Sequence, residues 1–146
     1  MKLPHNAAVL VADGRKMLFL RNEGDDVHPN LVVEHAEEQS NPKDGDQKSD
    51  APGVSYSSFG SGRNTVEETD FHQLAEDRFA VEATDLLKQR ALSNDFESLI
   101  VIAPPRTLGE LRKHYHKEVS SRLTGEIDKD LTGHPIADIE TALQKA

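Results

Sequence analysis

The sequence predicts an α/β protein built on a mixed five-stranded sheet, an antiparallel meander extended by βαβ crossovers, with helices on its faces. Three observations carry that expectation. Two short apolar runs flank the pair Asp13 and Gly14, the strongest local signal for a β-hairpin. The run at 99–103 (Leu-Ile-Val-Ile-Ala) is apolar without a break, as a central strand covered on both faces requires. Helix-period and strand-period segments then alternate through the C-terminal half, the pattern of parallel strands joined by helices.

Residues 7–12 read as the first strand and 15–21 as the second, joined by a type I′ turn with positive φ at Asp13 and Gly14. A turn-rich connection through Gly24, Asp25, Asp26 and Pro29 leads to a third strand at 31–35. Residues 40–64 follow, and 12 of these 25 are Gly, Pro or Ser. Only Ala51, Val54, Tyr56 and Phe59 are apolar, too few to offset the entropy of ordering the stretch, so it reads as a mobile loop.

The pairs Thr65 with Glu68 and Asp70 with Gln73 both fit a capping box, so a helix starts at one or the other. It runs to about Ser93 and Asn94, with Phe71, Ala75, Phe79, Ala83, Leu86 and Leu87 recurring at helical spacing. Pro104 and Pro105 stop the strand at 99–103. Thr107 and Glu110 form a further capping box, opening a helix through Leu111 and Tyr115. Residues 126–131 alternate, as a half-buried edge strand does. Pro135, favoured at a first helical position, opens a last helix with a narrow stripe of Ile136, Ile139 and Leu143.

Composition sets the remaining bounds. A chain of 146 residues reads as one domain, residues 1–146. It has no cysteine, which removes disulfides, thiolate metal sites and cysteine nucleophiles. Against 17 Lys and Arg stand 26 Asp and Glu, a net charge of −9, so a general phosphate-coating surface and a DNA partner are not expected. The longest uncharged apolar runs, 7–12 and 99–103, fall far short of a membrane span of roughly 20 residues, and a cytoplasmic location is expected.

Several stretches together resemble the bacterial host attachment protein family, proteins required for attachment to host cells. They are 11–16 (Val-Ala-Asp-Gly-Arg-Lys), 58–63 (Ser-Phe-Gly-Ser-Gly-Arg), 69–72 (Thr-Asp-Phe-His), 78–80 (Arg-Phe-Ala), 99–112 (Leu-Ile-Val-Ile-Ala-Pro-Pro-Arg-Thr-Leu-Gly-Glu-Leu-Arg) and 129–135 (Lys-Asp-Leu-Thr-Gly-His-Pro). That family is in turn similar to the middle domain of archaeal and eukaryotic peptide-chain release factors. The resemblance implies an RNase H-like or release-factor-middle-domain fold, a ribosome or RNA partner, and a role in attachment, which for a chain expected in the cytoplasm and without cysteine is expected to be indirect. In release factors the loop before the long helix carries a Gly-Gly-Gln tip that enters the peptidyl-transferase centre. The matching positions here are Gly60, Gly62, Arg63 and Asn64, with two glycines and no glutamine directly after them. Arg63 offers a phosphate contact and Asn64 an amide; the alternative is a flexible loop tip.

A second candidate site follows from topology, since ligands of open α/β sheets bind beyond the carboxyl ends of the parallel strands. Those ends carry Arg106, Thr107, Thr132 and His134. Arg106 beside a helix N-terminus is an anion grip, and His134 an acid or base near neutral pH. The alternative is structural: Thr107 and Thr132 cap helix ends, Arg106 pairs with an acid and His134 packs beside Pro135. A small hydrolase or metal-dependent nuclease at this edge is the competing function class. It requires several carboxylates on one metal, and the sequence offers Asp13 and Asp130, each explained by a turn or a strand end, with no third ligand. The sequence therefore assigns no catalytic residue, metal or cofactor, and favours a non-enzymatic interaction protein.

Overall fold

The computed structural model describes residues 1–39 and 61–146, the side chains of 61–70 excepted. Strands β1 (Ala8–Ala12), β2 (Lys16–Asn22) and β3 (Leu31–Glu38) precede the long helix α1 (Ser61–Leu92). Then come β4 (Leu99–Ile102), α2 (Pro105–Arg112), α3 (Lys117–Ser120), β5 (Leu123–Ile127) and α4 (Ile136–Lys145). The strand order is β3-β2-β1-β4-β5. β1 pairs antiparallel with β2, β2 antiparallel with β3, β1 parallel with β4 and β4 parallel with β5. This is the expected mixed sheet, with the meander and the crossovers meeting at β1.

Alternation along the two central strands builds two separate cores, because successive side chains of a strand point to opposite faces. Ala8, Leu10, Leu99 and Val101 join Phe79, Ala83 and Leu87 of α1 with Leu108 and Leu111 of α2. Val9, Val11, Ile100 and Ile102 join Leu3, Ile139 and Leu143 beneath α4. Every residue of β1 and β4 is buried, which is why both read as unbroken apolar runs.

Several expectations are corrected. The hairpin turn is not type I′: among the described residues the non-glycine positions with positive φ are Asn6 and Asn94, so Asp13 has none. The Asp13 carboxylate instead accepts from the backbone N–H of Arg15 (2.7 Å) and Lys16 (2.6 Å), an Asx closure that needs no left-handed residue. Helix α1 starts at Ser61, so both capping-box pairs lie inside it. Residues three apart are also neighbours within a helix, so the pattern marks a start only where something breaks the chain before it. Phe71 is not a core residue but 47% exposed. Steps of four advance about 40° around a helix, so Phe71 faces well away from Leu87. The helix α2 starts two residues before Thr107, capped by Pro104 without any side-chain bond. Finally, β5 spans Leu123–Ile127 rather than 126–131. Leu131 is buried, but from the loop after the strand, and that burial mimicked strand alternation.

The helix predicted through Tyr115 divides in two. α2 stops at Arg112, and the imidazole of His116 caps α3 by accepting from the Glu118 N–H at 3.0 Å. Pro135 is the cap of α4 rather than its first residue. At its far end α1 closes as expected: Asn94 is left-handed (φ 56°), and the N–H of Asp95 returns to the Arg90 carbonyl at 2.9 Å.

Candidate functional site at the carboxyl edge of the sheet

β1, β3, β4 and β5 all run the same way, so their carboxyl ends share one edge. The turn at 13–16, the loop after Ile102 and the loop after Ile127 meet there. The helix α1 crosses this edge on its way back to β4. Glu76 marks the crossing: a Cβ on Gly14 would lie 2.7 Å from the Glu76 carboxyl carbon, so the turn accepts no larger residue without moving that side chain. Gln73, one turn earlier, lines a cavity with Gly14 as well, so residues 61–72 precede the edge, about 18 Å of helix at 1.5 Å per residue.

Of the residues singled out in the sequence, Thr132 is the best held. It is 7% exposed. Its hydroxyl lies 2.9 Å from Asp13 Oδ2 and 2.9 Å from Asp130 Oδ1, joining the ends of β1 and β5. A hydroxyl carries one proton, so it donates to one of the two carboxylates at a time. The N–H of Thr132 also donates to Asp130 Oδ1 at 3.3 Å. Thr132 thus clamps two loops and caps no helix.

Arg106 and Thr107 stand on the other side of the Asp13 turn. They line a cavity of about 10 Å³ with Gly14, Gln73, Glu76, Ala80 and Glu110, room for one water. Arg106 is exposed in the first turn of α2, where free N–H groups and the helix dipole favour an anion, and it forms no ion pair among the described residues. Thr107 does not cap the helix. A wider concavity of about 300 Å³ opens beside this cavity, lined by Asp13, Arg15, Lys16, Glu38 and Glu76. His134 stands apart, exposed, with Nδ1 3.2 Å from Asp138 Oδ2 one turn into α4.

The structure thus brings Thr132 to Asp13 and Asp130, and brings Arg106 to Thr107; it leaves His134 outside both groups. Sequence reasoning missed Gln73, Glu76 and Glu110. Gln73 donates its amide to Asp77 at 2.9 Å, while its Oε1 is buried without a partner among the described residues. These residues project from helices whose existence the sequence shows, but nothing in one sequence shows which helix face crosses a sheet edge. Among the described residues no group of three His, Asp or Glu side chains is arranged to hold a metal ion.

Gly60 lies outside the described residues, as does the expected mobile loop up to that point. Gly62, Arg63 and Asn64 belong to the first turn of the long helix, not to the loop that the sequence predicts up to residue 64.

A mixed five-stranded sheet with flanking helices defines an α/β domain. The chain matches the family described as Bacterial archaeo-eukaryotic release factor family 12 over residues 6–143, and it belongs to that family. No curated protein matches it significantly. The match supports the release-factor side of the expected relationship; attachment to host cells is no part of it. Among the described residues no helix is long and apolar enough to cross a membrane.

Proposed function

We propose that this release-factor-like domain is a non-enzymatic module of the translation apparatus. It addresses ribosomal or transfer RNA through Gly62, Arg63 and Asn64 in the first turn of α1, together with Gly60 just before them in the sequence. The observation that carries this reading is the family membership combined with the position of that segment. Gly62, Arg63 and Asn64 stand in the first turn of α1, and about 18 Å of helix separates the start of α1 from its contact with the sheet edge at Gln73. Arg63 supplies the phosphate contact and Asn64 a neutral amide for a base or ribose. Peptide release itself is not part of the proposal, because the segment lacks Gly-Gly-Gln. Arg106, exposed beside the N–H groups of α2, is a second phosphate contact on the same edge.

The same proposal includes a cytoplasmic location, an RNase H-like kinship of the sheet, and a route to host attachment that is indirect, through translation. The test is co-sedimentation with ribosomes of the wild-type chain and of an Arg63→Ala/Asn64→Ala variant. Wild type is expected in the ribosomal pellet at moderate salt, with the variant largely in the supernatant. A wild-type chain that stays in the supernatant refutes the reading, and a variant that pellets like wild type refutes the assignment of the segment.

A further inference from the structure

One helical glycine is not required by the fold. A Cβ added at Gly14, Gly24 or Gly125 would lie within 2.7 Å of a neighbouring atom, whereas at Gly109 it would meet nothing within 4 Å. Gly109 is the fifth of the eight residues of α2, where a glycine weakens a helix and here brings no packing in return. Gly133 is equally open but lies in a loop, where that weakening does not arise.

The bare position lies between two cations. Arg106 and Lys113 are both exposed and stand seven residues apart on one ridge. They are within about 20° of each other around the axis and about 10.5 Å apart along it, with Gly109 between them, one turn from each. Leu108 and Leu111 take the opposite, buried side. The N–H groups of Arg106 and Thr107 precede the first hydrogen bond of the helix, from Leu108 to the Pro104 carbonyl at 2.9 Å, so neither has a partner within it. Two acids meet the ridge: Glu110 accepts from Lys113 at 2.9 Å, and the charge of Asp77 on α1 acts on the same ammonium. An ammonium has three protons to donate, so Lys113 keeps donors to spare. Residues 105–117 hold four Lys and Arg against one Glu, in a chain where acids outnumber bases by 26 to 17. That local reversal of charge favours a polyanion.

We propose that this ridge of α2 is a track for an RNA strand. Arg106 and Lys113 each hold a phosphate, and Gly109 leaves the helix bare so that the sugar-phosphate chain lies directly on it. The track extends the RNA reading above, on which it rests, by a second surface distinct from the first turn of α1.

The test is co-sedimentation with purified ribosomes between about 50 and 200 mM salt, for wild type, Gly109→Gln and Lys113→Gln. Gly109→Gln changes no charge and installs a good helix former, so the urea midpoint is expected to rise by about 0.4 M. The same variant is expected to bind ribosomes at least about fivefold more weakly. Lys113→Gln removes one phosphate contact and is expected to flatten the slope of log affinity against log salt by about 0.7 to 0.9. Wild type in the supernatant refutes the RNA reading and the track together. Wild type in the pellet with Gly109→Gln bound as tightly overturns the track alone. So does a lowered urea midpoint in Gly109→Gln, which shows that the fold needs the glycine. Weak binding by Gly109→Gln with an unchanged salt slope in Lys113→Gln assigns the ridge to a protein partner and overturns RNA as its ligand.

Discussion

Replacing Arg21 by methionine removes the centre of a polar cluster that ties β2, β3, the end of α1 and the approach to β1 together. Arg21 is 8% exposed. Its guanidinium donates to the carbonyls of Asn6 (3.1 Å) and Asp95 (2.6 Å), to Glu34 (3.2 and 3.3 Å) and to the Asp95 carboxylate. Arg90 stacks on Phe19, 4.1 Å from the ring centroid, and donates to the same two carboxylates at 2.9 and 3.0 Å. In Arg21→Met the carboxylates keep Arg90, so no acid is stranded, and methionine fills much of the stem's volume. What is lost is two carbonyl partners, each reachable in part by water and each worth about 1 kcal/mol, together with Arg21's share of the bonds to the two carboxylates, giving a loss of at least about 2 kcal/mol.

Urea denaturation followed by circular dichroism measures this loss. With a slope of about 2 kcal/mol/M the midpoint falls by at least about 1 M. Arg21→Lys is expected to recover less than half of it, since an ammonium cannot reach four acceptors as the planar fork does. The pH dependence carries the same signature. Burial pushes the Asp95 carboxyl up, but hydrogen bonds and charge from Arg21 and Arg90 outweigh it and hold the group below its ordinary 3.8. A depressed carboxyl stabilises the fold above its unfolded value and loses that contribution as pH falls toward the folded one, so wild type weakens below about pH 4. Arg21→Met is expected to flatten that limb. A midpoint shift under about 0.2 M, or full rescue by lysine, refutes the account.

Two further outcomes are expected. Burial, then the charge and hydrogen bond of Glu126, raise the Tyr115 phenol above its ordinary 10, so the fold favours the neutral form and loses stability as pH rises past 10. One proton's linkage is at most about 1.4 kcal/mol per pH unit, and Tyr115→Phe, compared with wild type in urea at pH 8 and 11, is expected to gain in relative stability at the higher pH; equal pH slopes count against it. Thr132→Val keeps the shape and removes the hydroxyl between Asp13 and Asp130, so it is expected to lower stability by about 1 kcal/mol in the same assay. A neutral or stabilising result there means that the hydroxyl relieves nothing between the two carboxylates.

The sheet was legible because its signals are local. The runs at 7–12 and 99–103 are apolar throughout since β1 and β4 are covered on both faces, and Pro104 marks where the chain must leave the sheet. What was illegible depends on where elements stop touching one another. The first half of α1 lies beyond the sheet edge, so residues 61–70 show no apolar period to announce a helix. Leu131 looks like a strand residue because burial has the same sequence signature in a loop. In the candidate site, Arg106 and Thr132 followed from the rule that ligands gather at strand ends. The clamp from Thr132 to Asp13 spans 119 residues, and the contact of Glu76 with Gly14 joins a helix flank to a turn; neither leaves a mark in a single sequence.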